Sequence, residues 1–119
     1  MKKLKLELEL PFPPSVNSCY RAIPRGRICA TILSKQGREY KEKIGRILGS
    51  SKPTDKRLMV RIQLAMPDKR KRDIDNYNKI LLDSLTGILW EDDSQIDILC
   101  ISREDVIKGG QVKMFVNEI

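Results

Sequence analysis

No histidine occurs anywhere in the 119-residue chain. Its absence removes imidazole as a general base, the Ser-His-Asp triad and every His-containing zinc site. Cysteine is scarce too: Cys19, Cys29 and Cys100 are the three, with no C-x-x-C spacing. Three thiolates without histidine make a closed zinc site a poor reading, and an odd count argues against a secreted disulfide framework. The expectation is reduced, mostly buried cysteines acting as small hydrophobes. Aromatics supply 5% of residues, so the core must be built mainly from Leu, Ile and Val. No uninterrupted apolar run is long enough to span a bilayer. The opening Met1-Lys2-Lys3-Leu4-Lys5-Leu6-Glu7 starts basic but breaks its apolar residues with charge, unlike a signal peptide. A cytoplasmic location without membrane association is expected.

What the chain has in abundance is positive charge. Its 23 Lys and Arg against 16 Asp and Glu give +7 and a pI near 9.5. Residues 1–79 carry 20 basic and 8 acidic side chains, a net +12, whereas 80–119 carry 3 and 8, a net −5. A basic body with an acidic segment behind it suits a polyanionic partner. The plainer alternative is a generally soluble basic surface.

The length suits a single domain over residues 1–119 with one modest core. Leu4, Leu6, Leu8 and Leu10 alternate with charge, a period of two that marks a half-buried strand. Pro11-Phe12-Pro13-Pro14 stops it, because proline cannot donate to a ladder. Arg25-Gly26-Arg27 reads as a turn between two short strands. Ser34 is placed to cap a helix running to about Leu48, with Tyr40, Ile44, Ile47 and Leu48 as its apolar stripe. Leu58, Val60, Ile62, Leu64 and Met66 define a second alternating strand. Tyr77, Leu81, Leu85 and Ile88 recur at helical spacing, and a polar loop, Glu91-Asp92-Asp93-Ser94, follows. Two final strands, about 96–103 and 111–118, flank Lys108-Gly109-Gly110 and read as a hairpin. The order implies an α+β, two-layer single domain: a mixed β-sheet with two main helices packed on one face.

Asp73, Asp75 and the Asp92-Asp93 pair are the chemically interesting positions. Magnesium favours hard oxygen ligands, so a metal-dependent nuclease needs carboxylates converging from different elements. Asp73 and Asp75 flank apolar Ile74 where a basic loop enters a helix, and in extended backbone residues two apart share a side. A helix of about 13 residues would span about 20 Å, so the chain must fold back for Asp93 to meet them. The competing reading is structural: aspartates at a helix start cap free N–H groups and meet the helix dipole. The run Lys69-Arg70-Lys71-Arg72 immediately before them favours chemistry, since cations that neutralise phosphates would adjoin an acidic pocket. Lys79, four residues after Asp75 and four before Asp83, either makes ordinary helical ion pairs or steadies charge on a phosphate. Asn76 either caps or donates to phosphate.

Met66-Pro67-Asp68-Lys69-Arg70-Lys71-Arg72-Asp73-Ile74-Asp75-Asn76, then Lys79, Asp83, Leu85 and Trp90-Glu91-Asp92-Asp93, resemble the RusA family of Holliday junction resolvases. So do Leu10-Pro11-Phe12-Pro13-Pro14-Ser15 with Asn17 and Tyr20-Arg21, and the Lys108-Gly109-Gly110 turn. The resemblance covers nearly the whole chain, with Cys19 standing where an aromatic residue is expected. It implies a homodimeric, Mg2+-dependent endodeoxyribonuclease that resolves four-way DNA junctions. Carried over by position, the metal-binding carboxylates are Asp73, Asp75 and Asp93, with adjacent Asp92 as the alternative for the third. Lys79 becomes the catalytic cation, and Lys69, Arg70, Lys71, Arg72 and Asn76 the DNA-binding set. A dimer also follows from the task, because symmetric paired cuts need two sites and the chain carries one acidic cluster. The alternatives are a non-catalytic nucleic-acid-binding module with helix-capping aspartates, an RNA-binding protein, and a nucleotide phosphohydrolase.

Overall fold

Alternation of apolar and polar residues builds the main sheet, and a computed structural model shows how its strands are ordered; it describes residues 3–26 and 28–119. The elements are β1 (Lys5–Leu10), α1 (Val16–Cys19), β2 (Tyr20–Arg25), β3 (Ile28–Leu33), α2 (Lys35–Leu48), β4 (Leu58–Ala65), α3 (Asn78–Leu85), β5 (Ile96–Glu104) and β6 (Gln111–Glu118). Two 3-10 turns, Ile74–Asn76 and Asp93–Gln95, precede α3 and β5 respectively. The main sheet runs β1-β6-β4-β5. β6 is antiparallel to both neighbours, and β4 and β5 are parallel. Strands β2 and β3 form a separate antiparallel pair around the expected turn, of which Arg27 lies outside the described residues.

The hairpin expected from the last two strands does not form. β4 lies between β5 and β6, and residues 105–110 carry the chain across its end, where the Ile107 amide donates to the Met66 carbonyl at 3.1 Å. Crossing two strand spacings requires about 10 Å, well within a short link. A two-residue period reports which way side chains face, not which strand is the neighbour.

One face of the sheet carries the core. Leu58, Val60, Ile62 and Leu64 of β4 and Val112, Met114 and Val116 of β6 pack with Tyr40 and Ile44 of α2 and Ile80, Leu81 and Leu85 of α3. The other face is open, with the Arg61 guanidinium 4.7 Å from the Phe115 ring centroid. The fold is therefore the expected two-layer α+β domain. Ser34 caps α2, its hydroxyl accepting from the Gly37 amide at 3.2 Å. Ile47, counted in the apolar stripe, stays 50% exposed. Of the three cysteines expected to be mostly buried, Cys19 is buried, Cys100 is exposed on β5, and the Cys29 side chain lies outside the described residues. Among the described residues no helix is long and apolar enough to cross a membrane.

The second main helix is shorter than its spacing suggested. α3 has 8 residues, about 12 Å. Gly87, at φ +86°, turns the chain and its amide donates to the Trp90 carbonyl at 2.7 Å. Only glycine takes that backbone without cost. Ile88 thus belongs to a turn, and the chain doubles back at the end of α3.

Candidate active site

The basic run lies in the loop between β4 and α3, and its members divide into anchors and free cations. Arg72 turns inward: it donates to Asp68 Oδ2 at 2.9 Å and to the Tyr77 hydroxyl at 3.4 Å. The Arg72 guanidinium holds the Asp68 carboxyl below the ordinary carboxylate range, helped by the Arg70 amide. Buried Tyr77 packs against Phe12 with the rings tilted at 58° and their centroids 4.8 Å apart. Phe12 in turn covers Gly110, where any Cβ would lie 2.7 Å from the Phe12 ring. Segments far apart in sequence thereby clamp one loop. Lys69, Arg70 and Lys71 remain exposed, Arg70 making only a long 3.7 Å contact to Asp68.

Asp73 and Asp75 follow at once, both exposed, while Ile74 between them packs against the core. Ile74 thus anchors the segment to the core. The backbone differs from expectation: Asp73 is extended, but Asp75 lies in the 3-10 turn. Neither carboxylate caps a helix. Asp73 precedes the turn without a side-chain cap bond, and the residue at the N-cap of α3 is Tyr77, which has none either. Among the described residues neither carboxylate has a hydrogen-bond or ion-pair partner. The Asn76 side chain, half-buried, is likewise without one.

Beyond α3, Asp92 and Asp93 take different roles. Asp92 caps the second 3-10 turn in a reciprocal capping box with Gln95. Hydrogen bonds from Ser94 hold its carboxyl below the ordinary range. Asp93 points to the fold-back: its Oδ1 accepts from Trp90 Nε1 at 2.9 Å and from the Thr86 hydroxyl at 2.5 Å. Trp90 is fully buried, so Asp93 is fixed by the core. Gln95 sets the loop's path, and nothing in the sequence pattern marked it. Its Oε1 accepts from the Glu91 and Asp92 amides, each at 2.8 Å, and its Nε2 donates to the Thr54 and Lys56 carbonyls at 2.8 and 2.9 Å. Gln95→Ala removes four hydrogen bonds to the main chain, although the Glu91 amide and the Thr54 carbonyl keep each other at 3.3 Å, and is expected to destabilise the fold by about 2 kcal/mol, read as a lower chemical-denaturation midpoint. An unchanged midpoint would show that water replaces the amide.

Lys79 is held by an aromatic ring rather than by ion pairs. Its Nζ lies 4.4 Å from the Tyr20 ring centroid, and among the described residues it pairs with no carboxylate. The Tyr20 hydroxyl donates to Asp83 Oδ2 in a short hydrogen bond. Burial, then that bond and the charges of Asp83 and Asp93, push the Tyr20 hydroxyl pKa far up, so it stays a donor at any physiological pH. Tyr20 thus gathers Lys79 and Asp83 around itself. Its signal in the sequence was membership of the Tyr20-Arg21 signature, with no role attached. Asp73 and Asp75 precede this group at the start of α3. Among the described residues no three acidic or cysteine side chains stand as a ready-made metal cluster.

The family profile "Endodeoxyribonuclease RusA" matches residues 11–116. "Crossover junction endodeoxyribonuclease RusA" of Escherichia coli K12 is 35% identical over 120 residues, covering 94% of this chain and 93% of the relative. The protein of that name from Enterobacteria phage 82 is 36% identical over 116 residues with the same coverage, and that of Shigella sonnei Ss046 is 35% identical. With the match running through the basic loop, the aspartates and the terminal turn alike, the chain belongs to the RusA family of endodeoxyribonucleases.

Proposed function

We propose that this chain is a homodimeric, magnesium-dependent nuclease that resolves four-way DNA junctions by paired phosphodiester hydrolysis. The observation that carries the reading is the pair of exposed carboxylates of Asp73 and Asp75, without a side-chain partner among the described residues, directly beside three solvent-facing cations. Nucleases of this family are metal-dependent. The donors here fit a hard divalent cation in chemistry, all being carboxylate oxygens. The lack of a preformed three-acid cage is compatible, because magnesium sites commonly use one or two carboxylates and take substrate phosphate and water for the rest. Asp73 and Asp75 would supply those carboxylates. Asp93 is preferred to Asp92 as the third, because the Asp92 side chain is already spent on its cap.

Magnesium bound there would supply Lewis acidity toward the phosphate and a more acidic water. The chain's own residues do the rest. Lys69, Arg70 and Lys71 hold the DNA backbone, and Arg72 fixes the loop that carries the aspartates. Asn76, in the same 3-10 turn as Asp75, would be a donor for phosphate. Lys79 offsets negative charge as the leaving oxygen departs. Tyr20 orients Lys79 through its ring and Asp83 through its hydroxyl. Tyr20→Phe keeps the ring and removes the hydroxyl, so it is expected to lower kcat about tenfold with KM little changed, the size of a lost outer-shell contact. An unchanged kcat would make the hydroxyl purely structural.

The deciding experiment incubates the protein with labelled four-way junction, linear duplex and RNA, with and without Mg2+. Symmetric nicks confined to the junction and to the Mg2+ lanes support the proposal. Binding without cleavage would mean a non-catalytic module instead, and preference for RNA would overturn the substrate.

A further inference from the structure

Thr86 and Trp90 stand on either side of the Gly87 turn, and both aim a donor at the same oxygen. The turn is closed by the Gly87 amide on the Trp90 carbonyl at 2.7 Å and by an isolated bridge between Thr86 and Trp90. Trp90 is the chain's one tryptophan, and a buried indole needs an acceptor for its N–H. That N–H lies 2.9 Å from Asp93 Oδ1 and 3.1 Å from the Thr86 hydroxyl, so the carboxylate is the nearer acceptor. The Thr86 hydroxyl has one proton and two acceptors in reach, the Leu82 carbonyl at 2.9 Å and Asp93 Oδ1 at 2.5 Å. The Leu82 carbonyl already accepts from the Thr86 amide at 3.0 Å. The hydroxyl proton is therefore free to turn to the carboxylate, the closer and charged acceptor.

These two donors fill both lone pairs of Oδ1. Asp93 Oδ2 has no partner among the described residues. The main chain at this position is held as well, the Asp93 carbonyl accepting from the Ile96 amide. Core packing alone would need only that the indole N–H find some acceptor, and the Thr86 hydroxyl would serve. Instead hydroxyl and indole both turn to one oxygen of a half-buried carboxylate.

We infer that Thr86 and Trp90 are positioning residues for the metal, committing Oδ1 of Asp93 to the protein and leaving Oδ2 as the single oxygen it offers a cation. This rests on Asp93 being the third carboxylate, as proposed above, and says how it is presented. A single oxygen suits the octahedral shell of magnesium better than the bidentate grip common at calcium. Donors behind a ligating carboxylate fix its orientation, and losing one costs about 10- to 100-fold in metal affinity.

Because Trp90 is the only tryptophan, its indole N–H gives a single nitrogen–proton correlation peak, a probe of Oδ1 itself. Mg2+ added to the wild-type protein at constant ionic strength is expected to move that peak along a saturable curve. Asp93→Asn should remove the curve. Thr86→Val keeps the shape and deletes the hydroxyl, so it is expected to raise the Mg2+ midpoint about tenfold. Thr86→Ser, which keeps the hydroxyl, should stay within about threefold of wild type, a rescue that a purely structural role would not produce. Amide peaks in the same spectra show whether each variant is folded, and the wild-type curve stands as a test even if Thr86→Val is not. An indole peak that stays fixed while Mg2+ supports junction cleavage, or a Thr86→Val midpoint equal to wild type, overturns the inference and leaves the metal reading standing. Cleavage that needs no Mg2+, or no cleavage at all, overturns that reading and the inference with it.

Discussion

Asp75→Asn is expected to slow Mg2+-dependent junction cleavage by about 10³-fold while leaving junction binding within about threefold of wild type. The size follows from Lewis-acid stabilisation of several kcal/mol in the transition state, at about 1.4 kcal/mol per decade of rate. The substitution changes no volume and removes one negative charge. Asp75 is exposed and makes no contact that the fold needs, so stability should move by no more than about 0.5 kcal/mol. That separation is what makes the variant informative. Were Asp75 a helix cap, its loss would instead appear as stability of about 1 kcal/mol with no effect specific to the metal. Single-turnover cleavage of a labelled junction beside a thermal melt reads both quantities. Wild-type cleavage by Asp75→Asn would remove this residue from the metal site, and a matching result for Asp73→Asn would end the proposed chemistry.

The parts of this molecule that were legible in the sequence are those governed by local rules. Alternation marked β1 and β4, Ser34 marked the start of α2, and the proline run marked the end of β1, because each depends on residues within a few positions. The final strands were found but wrongly joined, since both pair with β4 and no local pattern encodes a distant neighbour. α3 was drawn too long because the spacing to Ile88 persists through a turn that Gly87 creates. At the site, the aspartates and cations stood out by type and proximity. The supports did not: Tyr20 reaches Asp83 across 63 positions and Gln95 reaches Thr54 across 41. Ion pairing for Lys79 was a sound local reading that lost to a tertiary contact, the face of Tyr20.

Replacing Lys69, Arg70 and Lys71 together with Ala is expected to flatten the salt dependence of junction binding. Each phosphate contact contributes about 0.9 to the logarithmic slope, so three lost contacts reduce it by about 2.7. Between 50 and 200 mM salt the wild type should then lose about 40-fold more affinity than the variant, measured by fluorescence anisotropy. Arg72→Ala should behave differently, although it belongs to the same run. Its guanidinium is committed to Asp68 and Tyr77, and its Nε is buried without a partner among the described residues. Losing it should disorder the aspartate loop, depressing cleavage while barely changing the salt slope. The contrast separates cations that touch DNA from the one that shapes their loop. A triple variant with the wild-type slope would move the DNA path elsewhere, with the open sheet face around Arg61 and Lys113 as the next basic surface to test.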